Sequence, residues 1–257
     1  MLNGKCALVT GSTAGLGYAI AESLARSEAH VVLHGLEDAT AARDSIKGRF
    51  GVEAASVVAD LTKPPEIERM VESVFARFGG IDILVNNAVV RHFAPVERFP
   101  PERWEEALAV NLSAPFHLIR LTLPAMIQRG WGRIVNMASI YSTRAVQNRI
   151  DYVTTKTGLL GMTRTVALET AKTGVTCNAL CPGTVPSPAI EARIASIAVS
   201  QGISAEEATQ RYLAERQPSA RFVSMENVGS MVMFLCSPAG QDVTGATLPI
   251  DGGWSAA

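Results

Sequence analysis

The run Lys5-Cys6-Ala7-Leu8-Val9-Thr10-Gly11-Ser12-Thr13-Ala14-Gly15-Leu16-Gly17 decides the fold, because it joins a short apolar strand to a glycine-rich turn and then to a helical pattern. After the turn, Ala19, Ile20, Leu24 and Ala25 fall at helical spacing. Glycines between a strand and a helix let the backbone turn tightly and approach a ligand with no Cβ in the way. The amides that begin such a helix present a positive end to a pyrophosphate. The spacing here is G-x-x-x-G-x-G, which differs from the usual dinucleotide fingerprint, and a turn that serves only the chain is the alternative.

Outward from that run, apolar strands at residues 30–34, 54–59 and 81–85 alternate with helical stretches, one of which carries Ile67, Met70, Val71 and Val74 behind Pro64-Pro65. This β-α alternation predicts a parallel sheet with helices on both faces. A long helix over 104–126 with Asn111 in its middle comes next, then a strand ending at Ser139, a helix through Tyr152, Lys156, Leu159 and Val166, and a strand over 175–180. That strand enters the proline turn Cys181-Pro182-Gly183-Thr184-Val185-Pro186-Ser187-Pro188. The rhythm then breaks. Residues 188–216 read as two helices, 190–199 and 205–216, joined at Gln201-Gly202, the second opened by a capping box from Ser204 to Glu207. An insertion at the ligand end of a sheet is where a lid over a substrate is expected. A helix over 228–235 and a strand over 247–250 finish the chain. With no repeat, charge block or linker, residues 1–257 are expected to form one domain: a Rossmann-like α/β fold with a doubly wound parallel sheet and a helical substrate lid.

Composition bounds the partners. The chain has 257 residues, 47% of them hydrophobic, and a net charge of -1, so it can bury a large core and shows no basic excess for nucleic acid or an anionic membrane. No apolar run approaches the ~18 residues of a membrane span, and the N-terminus enters a strand at once with no room for a signal peptide, so a cytoplasmic protein is expected. Cys177 and Cys181 share a strand with α-carbons ~13 Å apart, too far for a disulfide or for neighbouring metal ligands. With Cys6 and Cys236 they are expected to be buried thiols, and the histidines show no metal spacing, so no metal is expected.

Four positions suggest chemistry. Tyr152 and Lys156 stand one helical turn apart on one face. A free tyrosine has a pKa of about 10, and a nearby ammonium favours the phenolate, so Tyr152 is a candidate acid/base near neutral pH. An exposed helix face is the bland reading of such a pair taken alone. Ser139 adds a hydroxyl at the carboxyl end of a strand, where open α/β sheets bind ligands. Asn111, inside an apolar stripe, needs either a polar task or a bond to neighbouring backbone. At the end of the second strand, Leu36, Glu37 and Asp38 stand where a 2'-phosphate would want arginine or lysine, which favours NAD over NADP; opening the next helix is the alternative role for the acids. Asp60 could accept from an adenine amino group or serve its own turn.

Taken together, the T-G-x-x-x-G-x-G turn at 10–17, Asp60, Asn86-Asn87-Ala88, and the set Asn111, Ser139, Tyr152 and Lys156 resemble the short-chain dehydrogenase/reductase family over essentially the whole chain. The resemblance implies that Tyr152 is the general acid/base, that Ser139 orients the substrate oxygen, that Lys156 binds the nicotinamide ribose and lowers the tyrosine pKa, and that Asn111 holds a water in a proton relay. It implies cofactor contacts from Gly11, Thr13, Gly15, Leu16 and Gly17, from Leu36, Asp60 and Leu61, from Asn87 and Ala88, from Tyr152 and Lys156, and from Pro182 and Val185 beside the carboxamide. It also implies a homotetramer, with helices 104–126 and 152–170 at one interface and 228–235 with the last strand at another.

Within the family the chain is most similar to the bacterial D-3-hydroxybutyrate dehydrogenases, at Leu33-His34-Gly35-Leu36-Glu37-Asp38, Ala167-Leu168-Glu169-Thr170-Ala171, Glu215-Arg216-Gln217-Pro218-Ser219, Arg221-Phe222-Val223 and Asp251-Gly252-Gly253-Trp254. It departs from that pattern where substrate is held. A glycine is Val89, a glutamine is Arg91, a histidine is Tyr141, a lysine is Arg149, a lid glutamine is Arg193 and a tryptophan is Thr184. Arg91, Tyr141, Arg149 and Arg193, with Arg144 nearby, then form a more cationic mouth suited to a carboxylate, although each arginine alone could be a solvated surface charge. The implied activity is NAD-dependent, reversible oxidation of a secondary alcohol in an anionic substrate, most simply a 3-hydroxy acid such as D-3-hydroxybutyrate. A larger or doubly charged hydroxy acid, or a sugar acid, is the near alternative; an NAD-binding module without catalysis is the distant one.

Overall fold

Strand β1 (Cys6–Val9) is buried throughout, and its side chains alternate between two cores: Ala7 and Val9 enter one, Cys6 and Leu8 the other. In this computed structural model, which describes residues 2–257, the next four strands repeat that division. Helix α1 (Gly15–Arg26) lays Ile20, Ala21, Leu24 and Ala25 on the first core, and β2 (His30–Gly35), α2 (Thr40–Phe50) and β3 (Ala54–Val58) follow. Helix α3 (Pro64–Phe78) puts Ile67, Met70, Val71 and Val74 on the second core and leads to β4 (Ile83–Asn86).

The second half continues with α4 (Pro101–Leu108), a π turn (Ala109–Ser113), α5 (Ala114–Gln128), β5 (Gly132–Met137), α6 (Ile150–Thr170) and β6 (Val175–Pro182). The helical pair α7 (Pro188–Gln201) and α8 (Ala205–Ala214) stands apart as a small core of its own, around Ile194, Ala208, Tyr212 and Leu213. Ser187 and Ser204 cap the two helices, each side chain accepting from a backbone amide of the first turn. Helix α9 (Met225–Cys236) packs on α1, and β7 (Thr247–Ile250) closes the edge.

The sheet has seven strands in the order β3-β2-β1-β4-β5-β6-β7, and all neighbours run parallel. Crossovers leave β1 in one direction and β4 in the other. Their carboxyl ends therefore diverge, and the crevice between them is the natural ligand site of an open sheet.

One expected element differs. The helix read over 104–126 begins at Pro101 and is interrupted by the π turn around Asn111. Pro115 explains the break in part, since it has no amide hydrogen to return to the carbonyl four residues back, which is that of Asn111. The four cysteines are buried and unpaired, and no helix of the described residues is long and apolar enough to cross a membrane.

Candidate active site

The carboxyl ends of the central strands open on one cleft of about 930 Å³, whose rim runs from the glycine turn to the α7–α8 pair. At one end, Gly11 and Gly15 have φ of +61° and +59°, a region that glycine adopts without strain. A Cβ on Gly11 would lie 2.8 Å from the Ala88 α-carbon, and one on Gly17 would strike the Gly11 carbonyl oxygen. Asn87 braces the turn, its Nδ2 donating to the carbonyls of Thr10 and Gly11, both at 2.9 Å, while the Thr10 hydroxyl accepts from the amides of Asn87 and Ala88. A Cβ on Gly15, by contrast, would meet nothing within 4 Å, so at the start of α1 the turn faces open space.

Leu36 and Glu37 line the same end, as do Asp60, Leu61 and Thr62, and none of these is basic. Asp60 serves its own turn, accepting from the Thr62 amide at 2.9 Å and the Thr62 hydroxyl at 2.7 Å, with Lys63 Nζ at 3.2 Å. Those bonds hold its carboxyl below the usual range.

At the other end Tyr152 and Lys156 project from α6 on one face, both buried. Lys156 Nζ donates to Met137 O at 2.5 Å and lies 5.8 Å from the Tyr152 ring centre. Burial, with repulsion from Arg91 added, lowers the Lys156 pKa to about 7, so near neutral pH the ammonium expected beside the phenol is only partly populated. The cations nearest the ring are instead guanidinia: Arg149 Cζ lies 4.5 Å from its centre and Arg91 Cζ 5.2 Å. Arg149 is also stacked at 4.2 Å on Phe93, and its buried Nε has no hydrogen-bond partner. Among the described residues neither Arg91, Arg149 nor Arg193 is in an ion pair. Burial, then repulsion from Arg91, weakens the hold of Arg149 on its proton, while Tyr152 and Asp151 oppose that effect.

Ser139 caps the short 3-10 helix Ile140–Ser142, its hydroxyl oxygen accepting from the Tyr141 amide at 3.2 Å. Tyr141 lies edge-on to both Tyr152 and Trp254, with ring centres 6.4 and 5.5 Å apart. Burial raises its pKa, against the opposing pull of Arg216 and Arg149.

All the residues singled out for the cofactor and substrate line this cleft, from Thr13 and Leu16 at one end through Pro182 and Val185 to Arg193. Asn111 does not line it. Its side chain bonds the chain, Oδ1 accepting from the Val90 amide at 2.9 Å and Nδ2 donating to Val90 O at 3.0 Å and toward Thr155 Oγ1 at 3.4 Å. Arg144 also lies outside, its guanidinium bonded to the carboxyl-terminal oxygen of Ala257.

Sequence reasoning missed Phe93, Tyr212 and Arg216, which line the cleft, and Gln217, which is fully buried behind it. Gln217 accepts from the Thr184 amide and donates to Arg221 O, so it ties the proline turn to the exit of α8. Its place inside a polar stretch, Glu215-Arg216-Gln217, gave no sign of burial. Among the described residues no group of three or more His, Cys, Asp or Glu side chains could hold a metal ion.

A family profile described as enoyl-(acyl carrier protein) reductase matches residues 11–255. The chain belongs to the short-chain dehydrogenase/reductase family. As a short-chain dehydrogenase it is an oxidoreductase, and relatives of this fold hold a nicotinamide cofactor. It is 46% identical to the D-beta-hydroxybutyrate dehydrogenase of Cupriavidus necator over 257 residues, all of both chains. It is 42% identical to the protein of the same name from Rhizobium meliloti, over 98% of this chain and 99% of that one. Among solved structures, L-sorbose reductase from Gluconobacter frateurii, complexed with NADPH and L-sorbose, superposes with a TM-score of 0.94 at 32% identity, over 100% of this chain and 98% of that one.

Proposed function

We propose that this short-chain dehydrogenase uses NAD to oxidise, reversibly, the secondary alcohol of a small anionic substrate, a 3-hydroxy acid such as D-3-hydroxybutyrate. The observation that carries the substrate class is the pair of unpaired guanidinia, Arg149 and Arg91, against the Tyr152 ring. Arg91 is exposed, but Arg149 is half-buried with an unpartnered Nε; a desolvated cation without a counter-charge is costly, and a substrate carboxylate relieves that cost at Arg149. The names of the two curated relatives support the same class.

In the forward direction the Tyr152 oxygen, as phenolate, takes the proton of the substrate alcohol and becomes the hydroxyl. Bound NAD supplies the acceptor for the hydride. Ser139 Oγ already accepts from the Tyr141 amide, which leaves its own hydrogen to orient the substrate oxygen. Lys156 spends one hydrogen on Met137 O and keeps the others for ribose hydroxyls. Arg149, with Arg91, Tyr141 and Arg193, holds the carboxylate and so fixes the carbon to be oxidised; positioning of this kind contributes several kcal/mol, of the order seen for oriented reactants. Gly11, Thr13, Gly15, Leu16 and Gly17 receive the pyrophosphate, Asn87 and Ala88 flank it, and Pro182 and Val185 face the carboxamide. Asn111 holds the Val90 backbone next to Arg91, and its Oδ1 keeps a second lone pair for the water of a proton relay. At the adenosine end, Leu36, Asp60 and Leu61 offer nothing basic to a 2'-phosphate, which supports NAD over the NADPH of the structural neighbours.

The remaining parts of the reading are a single domain over 1–257 with a lid at 188–216, a cytoplasmic homotetramer, and no nucleic-acid or membrane partner. A second substrate, a larger or doubly charged hydroxy acid, draws support from Arg216, which also lines the cleft and whose only counter-charge among the described residues is the exposed Glu215 at 3.2 Å. A panel of hydroxy acids and neutral alcohols, followed by NADH absorbance, tests the class: turnover is expected with hydroxy acids and NAD, and faster turnover of neutral alcohols overturns it.

A further inference from the structure

His34, next to last in β2, is 3% exposed and takes no part in the chemistry above. Both of its ring nitrogens are engaged. The Gly11 amide donates to Nδ1 at 3.1 Å, and Nε2 lies 3.1 Å from Ala59 O. A backbone amide only donates and a carbonyl only accepts, so Nδ1 keeps its lone pair and Nε2 carries the hydrogen. The neutral ring is thus a strut in one tautomer, running from the end of β3 to the first glycine of the turn.

Ser12 ties the same segments beside it. Its amide donates to His34 O at 2.9 Å, and its hydroxyl accepts from His34 N at 3.1 Å while donating to Val9 O at 2.7 Å. On the opposite flank, Asn87 Nδ2 donates to the Gly11 carbonyl at 2.9 Å. Gly11 is therefore held at both its amide and its carbonyl, in a left-handed conformation that the isolated chain would not keep.

We infer that His34 is a positioning residue for the cofactor: in its Nε2–H tautomer it fixes the Gly11 amide, and a proton on Nδ1 frees the turn and weakens dinucleotide binding. Protonation would set Nδ1–H against the Gly11 N–H, two donors face to face, and strip the amide of its acceptor. Burial lowers the pKa of His34 below 6.5, against the opposing Ala59 carbonyl, so the strut persists through neutral pH. With the folded value below the unfolded one, its contribution is present above pH 6.5 and lost as pH falls through the folded value.

Few charges compete at this ring. The turn itself carries no ionisable group, and β1 offers only the Cys6 thiol, pushed up to about 12. Beyond β2 lie Glu37 and Asp38, the latter accepting from the Thr40 amide; beyond β3 lies Asp60, engaged by Thr62 and Lys63.

The inference rests on the reading that residues 11–17 hold the pyrophosphate, and NAD titration calorimetry separates the two. Wild type, His34→Asn and His34→Leu are compared from about pH 5.5 to about pH 8, the window in which a histidine can titrate. Asparagine keeps an acceptor on the same branch and has no proton to gain, and Lys156, which titrates in this range, is common to all three. The wild-type Kd is expected to rise toward acid by up to about tenfold per pH unit relative to His34→Asn, as one linked proton requires. His34→Leu is expected to weaken NAD about threefold to tenfold at pH 8, the worth of one hydrogen bond, with kcat at saturating NAD unchanged. A His34→Asn protein that keeps the wild-type acid limb, or a His34→Leu protein that binds NAD as wild type does, overturns the inference. Wild-type protein that binds no NAD at any pH overturns the cofactor reading beneath it.

Discussion

The two ends of the cleft are built on opposite principles. Around Gly11 the surface is neutral backbone, and its shape is fixed by bonds from Thr10 and Ser12 in the turn, from Asn87 just past β4 and from His34 in β2. Around Tyr152 it is cationic, assembled from Arg91 in the loop after β4, Arg149 before α6, Arg193 in α7 and Arg216 after α8. The first end is finished before a ligand arrives. The second is electrostatically incomplete, since Arg149 has a buried Nε with no partner and a like charge sharing its ring. A rigid neutral cradle suits a cofactor common to many substrates, and a cationic mouth in which Arg216 is paired with Glu215 but Arg149 has no ion-pair partner among the described residues selects one substrate class by charge.

The largest effect that could break this contrast lies between the two ends. Tyr152→Phe should reduce kcat by about 10³-fold, within the usual range for a lost acid/base, while NAD affinity measured by calorimetry stays within about threefold. Undiminished turnover would remove the proposed proton path.

Next comes Lys156, which belongs to both ends. Its folded value of about 7 lies below the ordinary 10.5, so the unfolded chain binds more protons between those values. Stability from this residue therefore grows as pH rises through that window and is lost as pH falls through about 7. Urea unfolding of wild type and Lys156→Met at several pH values should show a difference that climbs with pH by up to about 1.4 kcal/mol per unit. Parallel curves would show that the ammonium is not desolvated.

The smallest and most diagnostic effect concerns the mouth alone. Arg149→Met should lower kcat/KM for a hydroxy acid about 10- to 100-fold, chiefly through KM, as expected for a charged hydrogen bond. NAD binding and the residual rate on neutral alcohols should not move. A loss of NAD affinity of the same size would erase the division between the two ends.

Much of this was legible in the chain before any coordinates. Alternating apolar strands and helices specify a parallel sheet, the glycine spacing specifies a turn toward a ligand, and Tyr152 with Lys156 need only a helix to share a face. Asn111 was legible only as a residue requiring partners. Its answer, Val90, lies across a loop that no periodicity reaches. The apolar stripe over 104–126 reads as one helix, and the π turn beside Pro115 emerges only in the structure.

The sequence by itself determined the order of elements, the faces of the sheet and the end at which chemistry occurs, because those follow from side-chain period and turn geometry among near neighbours. Only the tertiary structure decided that burial pushes the Lys156 pKa down, that Arg149 stacks on Tyr152, that Gln217 is buried and that His34 holds one tautomer. Each of those depends on desolvation and on a single donor or acceptor supplied by a segment distant in the chain, and such pairing has no period to read.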